Sequence, residues 1–257
     1  MKVIILAAGY GSRLKPYTNK IPKCMVELAG KPLLQYQIET LNSAGLNNIA
    51  VVGGHLIEKI IDKDIKIIKN DKYDSTNMVS SLFCAEKFMS DKEDLLITYS
   101  DIIYERKVLD SLIQTDSPIA ISVDKDWHKL WKMRMANPLD DAETLKLRDG
   151  MYIDELGKKP KDFDDIQGQY MGLIKISADF VQQFCNTWHE LDKKLTYDGQ
   201  NYSNMYMTSF IQKFINIGIN VEAAFTNGGW LEIDTKSDLD LYHSLYESNK
   251  LKKFINL

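Results

Sequence analysis

The 257-residue chain sets 32 lysines and arginines against 36 aspartates and glutamates for a formal charge of −4, and the two signs are mixed along its length, so no basic face or tail offers itself to a nucleic-acid backbone. No run reaches the roughly eighteen apolar residues of a membrane span, and the short apolar N-terminus lacks the length and cleavage pattern of an export signal. Cys24, Cys84 and Cys185 are far apart and form no C-x-x-C pair, which argues against a disulfide framework or a structural zinc and suits a reducing cytosol.

Apolar runs of strand length occur at Val3–Leu6, Ile49–Val52, Ile65–Ile68, Leu95–Thr98 and Ile119–Val123. Between them lie stretches with helical spacing, as at Leu33, Leu34, Ile38 and Leu41, where Pro32 suits the first turn and Gly45 is placed to end the helix. This alternation predicts an α/β fold, a Rossmann-like and mostly parallel mixed sheet with helices on both faces. After Asp124 the pattern changes. Trp127 to Leu147 is rich in aromatic and charged residues, and Asp154 to Asp165 is charged and broken at Lys159-Pro160, which reads as strands, hairpins and a loop forming a small β/lid region over the sheet. Helical periodicity returns at Phe180–Leu191 and Met205–Ile215, followed by a strand at Val221–Phe225 and a terminal helix from about Ser237.

Directly behind the first strand stands Leu6-Ala7-Ala8-Gly9-Tyr10-Gly11-Ser12-Arg13-Leu14. Glycines let the backbone approach another group closely, and Arg13 with the later Lys23 gives that group a reason to be an anion. Leu14 fills the place of the third glycine of a dinucleotide fingerprint, and no G-K-[ST] follows, so neither that fingerprint nor a Walker A loop is present. Pro16 and Pro22 stiffen the connection to Lys23. Taken alone, G-x-G reads first as a tight turn with two solvated cations.

The longer string L-A-A-G-x-G-S-R-L-x-P-x-T-x-x-x-P-K, with Gly30-Lys31-Pro32-Leu33-Leu34 after it, closely resembles the signature of the sugar-nucleotide nucleotidyltransferase superfamily. Asn70-Asp71-Lys72-Tyr73, followed by Asn77 to Leu82, is similar to its phosphocholine cytidylyltransferase-like branch. The resemblance implies the nucleotide-diphospho-sugar transferase fold, as one domain over 1–257 with a nucleotide-binding half at 1–124 and an acceptor-binding half at 125–257. It implies that Leu6, Ala7, Ala8, Gly9, Gly11 and Ser12 wrap a nucleoside triphosphate, that Arg13 meets the departing phosphates, and that Lys23 lies near the reacting one. Asn77 and Ser80 would approach the base and triphosphate, although Asn77 also reads as a helix cap.

The same resemblance assigns two metal-binding carboxylates. Asp101 ends the apolar run Leu95 to Tyr99, with Ser100 where the family usually has glycine, and Asp234 sits in Trp230-Leu231-Glu232-Ile233-Asp234-Thr235. Mg²⁺ takes one or two carboxylates beside substrate phosphates, which this pair would supply. Strand alternation turns Glu232 to the opposite face. Asp234 also reads as a cap for the helix that follows. His55, His128, His189 and His243 show no metal-ligand spacing, and no Ser/His/Asp arrangement is present.

The activity implied is Mg²⁺-dependent transfer of CMP from CTP to a small phosphorylated acceptor with release of pyrophosphate. Phosphocholine, 2-aminoethylphosphonate and the phosphoglutamine used in making capsule phosphoramidate are the candidate acceptors, and overall resemblance inclines to the last. UTP or dTTP with a sugar 1-phosphate, or nucleotide binding without catalysis, are the alternatives. Acceptor contacts fall on Trp131, Arg134, Glu143, Tyr170 and Gly172. A trimethylammonium would want Trp127 and Trp131 as an aromatic cage, a primary amine Asp141 or Glu143, and a carboxylate Arg134; packing of the lid on the sheet is the other reading of the tryptophans. The partners are thus CTP and the acceptor, in the cytoplasm, with neither nucleic acid nor membrane. Relatives often self-associate, and the sequence marks no surface for it.

Overall fold

Val3, Ile4, Ile5 and Leu6 leave the first strand without a polar face, and β1 (Lys2–Ala7) accordingly runs inside the sheet with both sides covered. The computed structural model describes residues 1–257. Eight further strands join β1: β2 (Ile49–Gly53), β3 (Lys66–Lys69), β4 (Leu95–Tyr99), β5 (Ile119–Asp124), β6 (Leu145–Arg148), β7 (Tyr152–Leu156), β8 (Gln169–Ile176) and β9 (Val221–Thr226). Their order across the nine-stranded sheet is β3-β2-β1-β4-β8-β5-β9-β7-β6. β3, β2, β1 and β4 are parallel, β8 is antiparallel to both of its neighbours, β5 and β9 are parallel, and β7 and β6 add an antiparallel edge. Because β8 lies between β4 and β5, the two sequence halves interleave in one sheet.

Seven helices cover it: α1 (Leu33–Ser43), α2 (Met78–Cys84), α3 (Arg106–Gln114), α4 (Trp127–Arg134), α5 (Ala178–Glu190), α6 (Met207–Asn216) and α7 (Lys236–Glu247). Leu33, Leu109, Trp131 and Leu239 take α1, α3, α4 and α7 into one core, while Leu82, Phe184 and Phe210 take α2, α5 and α6 into a second on the opposite face. Gly45, at φ +75, follows the last turn of α1.

One stretch departs from its sequence reading. Trp127 to Arg134, within a stretch expected as strands, hairpins and a loop although Trp127 and Trp131 are spaced as helix neighbours, is helical, because Trp127, Leu130 and Trp131 fall on one side and bury in the first core beside Trp230. The expected hairpin begins only at β6 and β7.

Register brings the site together. Ala7 pairs with Gly53 and Leu6 with Tyr99, so the chain leaves β1, β2 and β4 at one edge, where open α/β sheets bind ligands. A short antiparallel pair, Ile102–Tyr104 with Trp230–Glu232, carries the turn after β4 alongside the entry to α7.

Candidate active site

The loop after β1 folds back on itself at Gly11, which takes φ +61; a Cβ there would lie 3.0 Å from Lys23 Cβ and from Thr18 Cγ2. Thr18 Oγ1 donates to the Gly11 carbonyl at 2.8 Å, which fixes the fold-back and delivers Lys23 to the ends of the parallel strands. Two acidic turns meet it there. Ile233 N–H donates to the Asp101 carbonyl at 2.8 Å and Ser100 N–H to that of Leu6 at 3.1 Å, so Asp101 and Asp234 are held together by backbone.

Lys23 Nζ donates to Asp101 Oδ2 and to Asp234 Oδ1, each at 2.8 Å, and Arg13 Nη1 lies 2.7 Å from Asp234 Oδ2. Burial disfavours the lysine charge, but the two carboxylates outweigh it and hold the ammonium above its ordinary range. Asp101 Oδ1 is buried with no hydrogen-bond partner. Two hard carboxylate donors, one with an unused oxygen and no third His, Cys, Asp or Glu to close a cage, fit a Mg²⁺ ion completed by water and substrate phosphates.

These groups line an open cleft of about 370 Å³. Of the residues assigned from sequence, Leu6, Ala7, Ala8, Gly9, Gly11, Ser12, Arg13, Lys23, Asn77, Asp101 and Asp234 all reach it. Its far wall is organised by Asn70, which donates to Thr76 Oγ1 and Ser81 Oγ at 3.0 Å and accepts from Lys72 N–H at 2.9 Å. Asn77 caps α2 by accepting from Met78 N–H and also faces the cleft. Ser80 does not: its hydroxyl donates to the Ser203 carbonyl at 2.8 Å outside the cleft, and Ser81 takes the inward position.

An aromatic cluster stands at the mouth, of which the sequence singled out only His55, read either as bordering the base or as a surface histidine. Tyr10 lies 4.9 Å from the His55 ring and 5.3 Å from that of Tyr73. Tyr73 packs flush on the end of β2 because Gly54 has no side chain; a Cβ there would be 2.4 Å from Tyr73 Cβ. Tyr73 stood inside the N-D-x-Y segment, but nothing in the pattern marks Tyr10, the variable residue of G-x-G.

On the acceptor side, Tyr99 ends β4 and lines the cleft, with Tyr170 edge-on to it at 5.8 Å. The Tyr170 hydroxyl is buried without a partner, and burial raises both phenols, with Glu143 and Asp101 adding to the effect. Glu143 makes no ion pair, and burial, reinforced by Asp141, pushes its carboxyl up to about 7. Gly172 stands behind the Tyr99 ring rather than at the cleft surface. Trp131 is packed between Trp127 and Trp230, each 5.9 Å away, inside the core. The Arg134 side chain, 1% exposed, is paired bidentately with Asp238 and singly with Glu232. A cage of tryptophans and a free guanidinium are therefore not what the fold presents to the cleft.

A MobA-like NTP transferase domain matches residues 3–152. The chain is 49% identical to the CTP:phosphoglutamine cytidylyltransferase of Campylobacter jejuni, over 94% of this chain and 98% of that one. Among solved structures it is similar to the inositol-1-phosphate CTP transferase from T. maritima, with a TM-score of 0.73 at 18% identity, covering 100% and 98% of the two chains. The CTP:phosphocholine cytidylyltransferase from Streptococcus pneumoniae matches with a TM-score of 0.70 at 20% identity, over 95% and 98%. At those identities the two structures speak to fold.

Proposed function

The chain belongs to the MobA-like NTP transferase family, and from that premise we propose that it is a Mg²⁺-dependent cytidylyltransferase that transfers CMP from CTP to phosphoglutamine and releases pyrophosphate. The observation that carries this reading is Lys23 bridging Asp101 and Asp234 at the end of the glycine-containing loop. The near full-length likeness to the CTP:phosphoglutamine enzyme supports both the nucleotide and the acceptor. The CDP-linked product would serve capsule phosphoramidate synthesis in the cytoplasm; no helix is long and apolar enough to cross a membrane.

In this reaction an acceptor phosphate oxygen attacks the α-phosphorus of CTP. The new P–O bond forms as the bond from the α-phosphorus to the α,β-bridging oxygen breaks, and pyrophosphate leaves with the electron pair. The nucleophile is already ionised at neutral pH, so no general base is required, and rate comes from alignment and charge neutralisation. The amides from Ala7 to Ser12 hold the nucleotide. Lys23 sits at the reacting phosphate, and Arg13, 65% exposed at the rim, meets the departing phosphates. Mg²⁺ held by Asp101 and Asp234 would act as a Lewis acid on the phosphate oxygens. Tyr99 lines the cleft and Tyr170 and Glu143 lie close behind it rather than at its surface, which supports receiving an acceptor amine on that side.

The test is pyrophosphate release with Mg²⁺ from CTP, UTP, ATP, GTP and dTTP, each against phosphoglutamine, phosphocholine, 2-aminoethylphosphonate and glucose 1-phosphate. Release with CTP and phosphoglutamine is expected. Release only with UTP or dTTP and the sugar phosphate would replace the proposal with a sugar-nucleotide activity, and silence throughout would remove it.

A further inference from the structure

We infer that Arg134 is a positioning residue for the metal carboxylate Asp234, acting through Asp238, and that it is not a contact for the acceptor. The inference rests on the proposed reading in one respect, the assignment of Asp234 to the metal.

Arg134 ends α4, on the acceptor side, yet its guanidinium is turned away from the cleft and sealed. Nε donates to Asp238 Oδ1 at 3.0 Å and Nη2 to Asp238 Oδ2 at 3.2 Å, the fork that matches a carboxylate plane. Nη1 donates to Glu232 Oε2 at 2.5 Å, and the guanidinium stacks 4.9 Å from the Trp131 ring. Each guanidinium nitrogen already donates to a carboxylate, and with the side chain 1% exposed none is offered to an acceptor.

Asp238 passes the constraint on. Its Oδ2 accepts from the Thr235 N–H at 2.8 Å and the Asp234 N–H at 3.2 Å, while Thr235 Oγ1 accepts from Asp238 N–H at 3.1 Å. The reciprocal Thr235 and Asp238 bonds are a capping box at the start of α7. An ordinary capping box ends at the capping residue. Here the same carboxylate also takes the amide of Asp234, the residue before it, and Arg134 clamps that carboxylate in plane. Glu232, two residues ahead of Asp234, is tied to the same guanidinium, so Arg134 braces the metal-side backbone from both directions. Groups behind a ligand that fix its orientation typically change metal affinity about 10–100-fold when altered.

The experiment uses Mn²⁺ as the probe, titrated into the full chain with α,β-methylene-CTP and followed by electron paramagnetic resonance of the free ion. Acceptor KM and kcat are measured alongside. Asp238→Asn keeps volume and is expected to weaken Mn²⁺ binding about tenfold. Arg134→Lys, which keeps the charge but loses the fork, is expected to weaken it less, and in both variants kcat falls while acceptor KM stays within about twofold. Thermal melts establish that each variant is folded, and either one alone decides the matter. Unchanged Mn²⁺ affinity in a folded variant would reduce Arg134 to a staple between α4 and α7, and a rise confined to acceptor KM would make it an acceptor contact; either result overturns the inference. Failure of the unaltered protein to bind Mn²⁺ with the nucleotide analogue would overturn the metal assignment and this inference together.

Discussion

Gly172 takes φ +80 directly behind the ring of Tyr99, where a Cβ would lie 2.7 Å from Tyr99 Cδ2. The glycine answers two demands at once: a left-handed backbone where the pairing of β8 with β5 shifts register, and room for the aromatic side chain of the neighbouring strand. Gly172→Ala must strain the backbone or push Tyr99 toward the cleft that it lines. The expected cost is about 3 kcal/mol, seen as a melting temperature lower by roughly 6–12 °C, with a raised acceptor KM. An unshifted melt would show that β8 tolerates a side chain there.

Lys23 is the cation of Asp101 and shares Asp234 with Arg13. Lys23→Ala is expected to lower pyrophosphate release by at least about 10²–10³-fold, the scale of losing one preorganised charge. Its far-ultraviolet circular dichroism should match the unaltered protein. Removing the ammonium also frees Asp101 Oδ2 and Asp234 Oδ1 for a divalent ion, while Asp234 Oδ2 stays with Arg13. Mg²⁺ alone should therefore raise the melting temperature of Lys23→Ala by more than it raises that of the unaltered protein. Equal shifts would mean that the lysine and the metal do not share these oxygens. Asp101→Ala should abolish turnover too, and remove the Mg²⁺ shift.

Arg13 contacts the same Asp234 but from the rim, with 65% of its side chain exposed against 14% for Lys23. Exposed ion pairs contribute about 0–1 kcal/mol, so Arg13→Ala should melt close to the unaltered protein. If Arg13 meets the departing phosphates as proposed, turnover should still fall about 10²-fold, because a charge so placed acts on rate. A variant that melts normally and turns over normally would remove Arg13 from the site.

The parts of this site that sequence made legible are those whose chemistry is local. Gly9, Gly11 and Arg13 follow one strand directly in a continuous string, and that string carries the family resemblance by which Asp101 and Asp234, each just past a strand, are assigned. What stayed hidden depends on partners from elsewhere. The sequence offered Arg134 as a cation for an acceptor carboxylate but did not show that Glu232 and Asp238, from the far end of the chain, consume its charge. The aromatic run at Trp127 favours strand by propensity; burial of Trp127, Leu130 and Trp131 beside Trp230 makes it a helix. The sequence pattern pointed to Ser80, but the Ser203 carbonyl takes its hydroxyl and the neighbouring Ser81 faces the cleft.

Glu143 supplies a pH test, needing no substrate, of the acceptor side as proposed. Burial, with Asp141 nearby, pushes its carboxyl up from an ordinary 4.5 to about 7. Between those values the folded protein holds a proton that the unfolded chain has released, so unfolding loses a proton and stability falls as pH rises through that window. Above about 7 both states are ionised and the whole penalty is present; below about 4.5 both are protonated and it vanishes. Glu143→Gln stays neutral throughout. Its stability relative to the unaltered protein should therefore grow by about 2 kcal/mol between pH 5 and pH 8, measured by urea unfolding at each pH. Bringing an ammonium to Glu143 would lift the same penalty in the unaltered protein, since a cation beside the buried carboxylate favours its charged form. A stability difference that is the same at both pH values would place Glu143 in solvent and leave the acceptor amine without its counter-ion there.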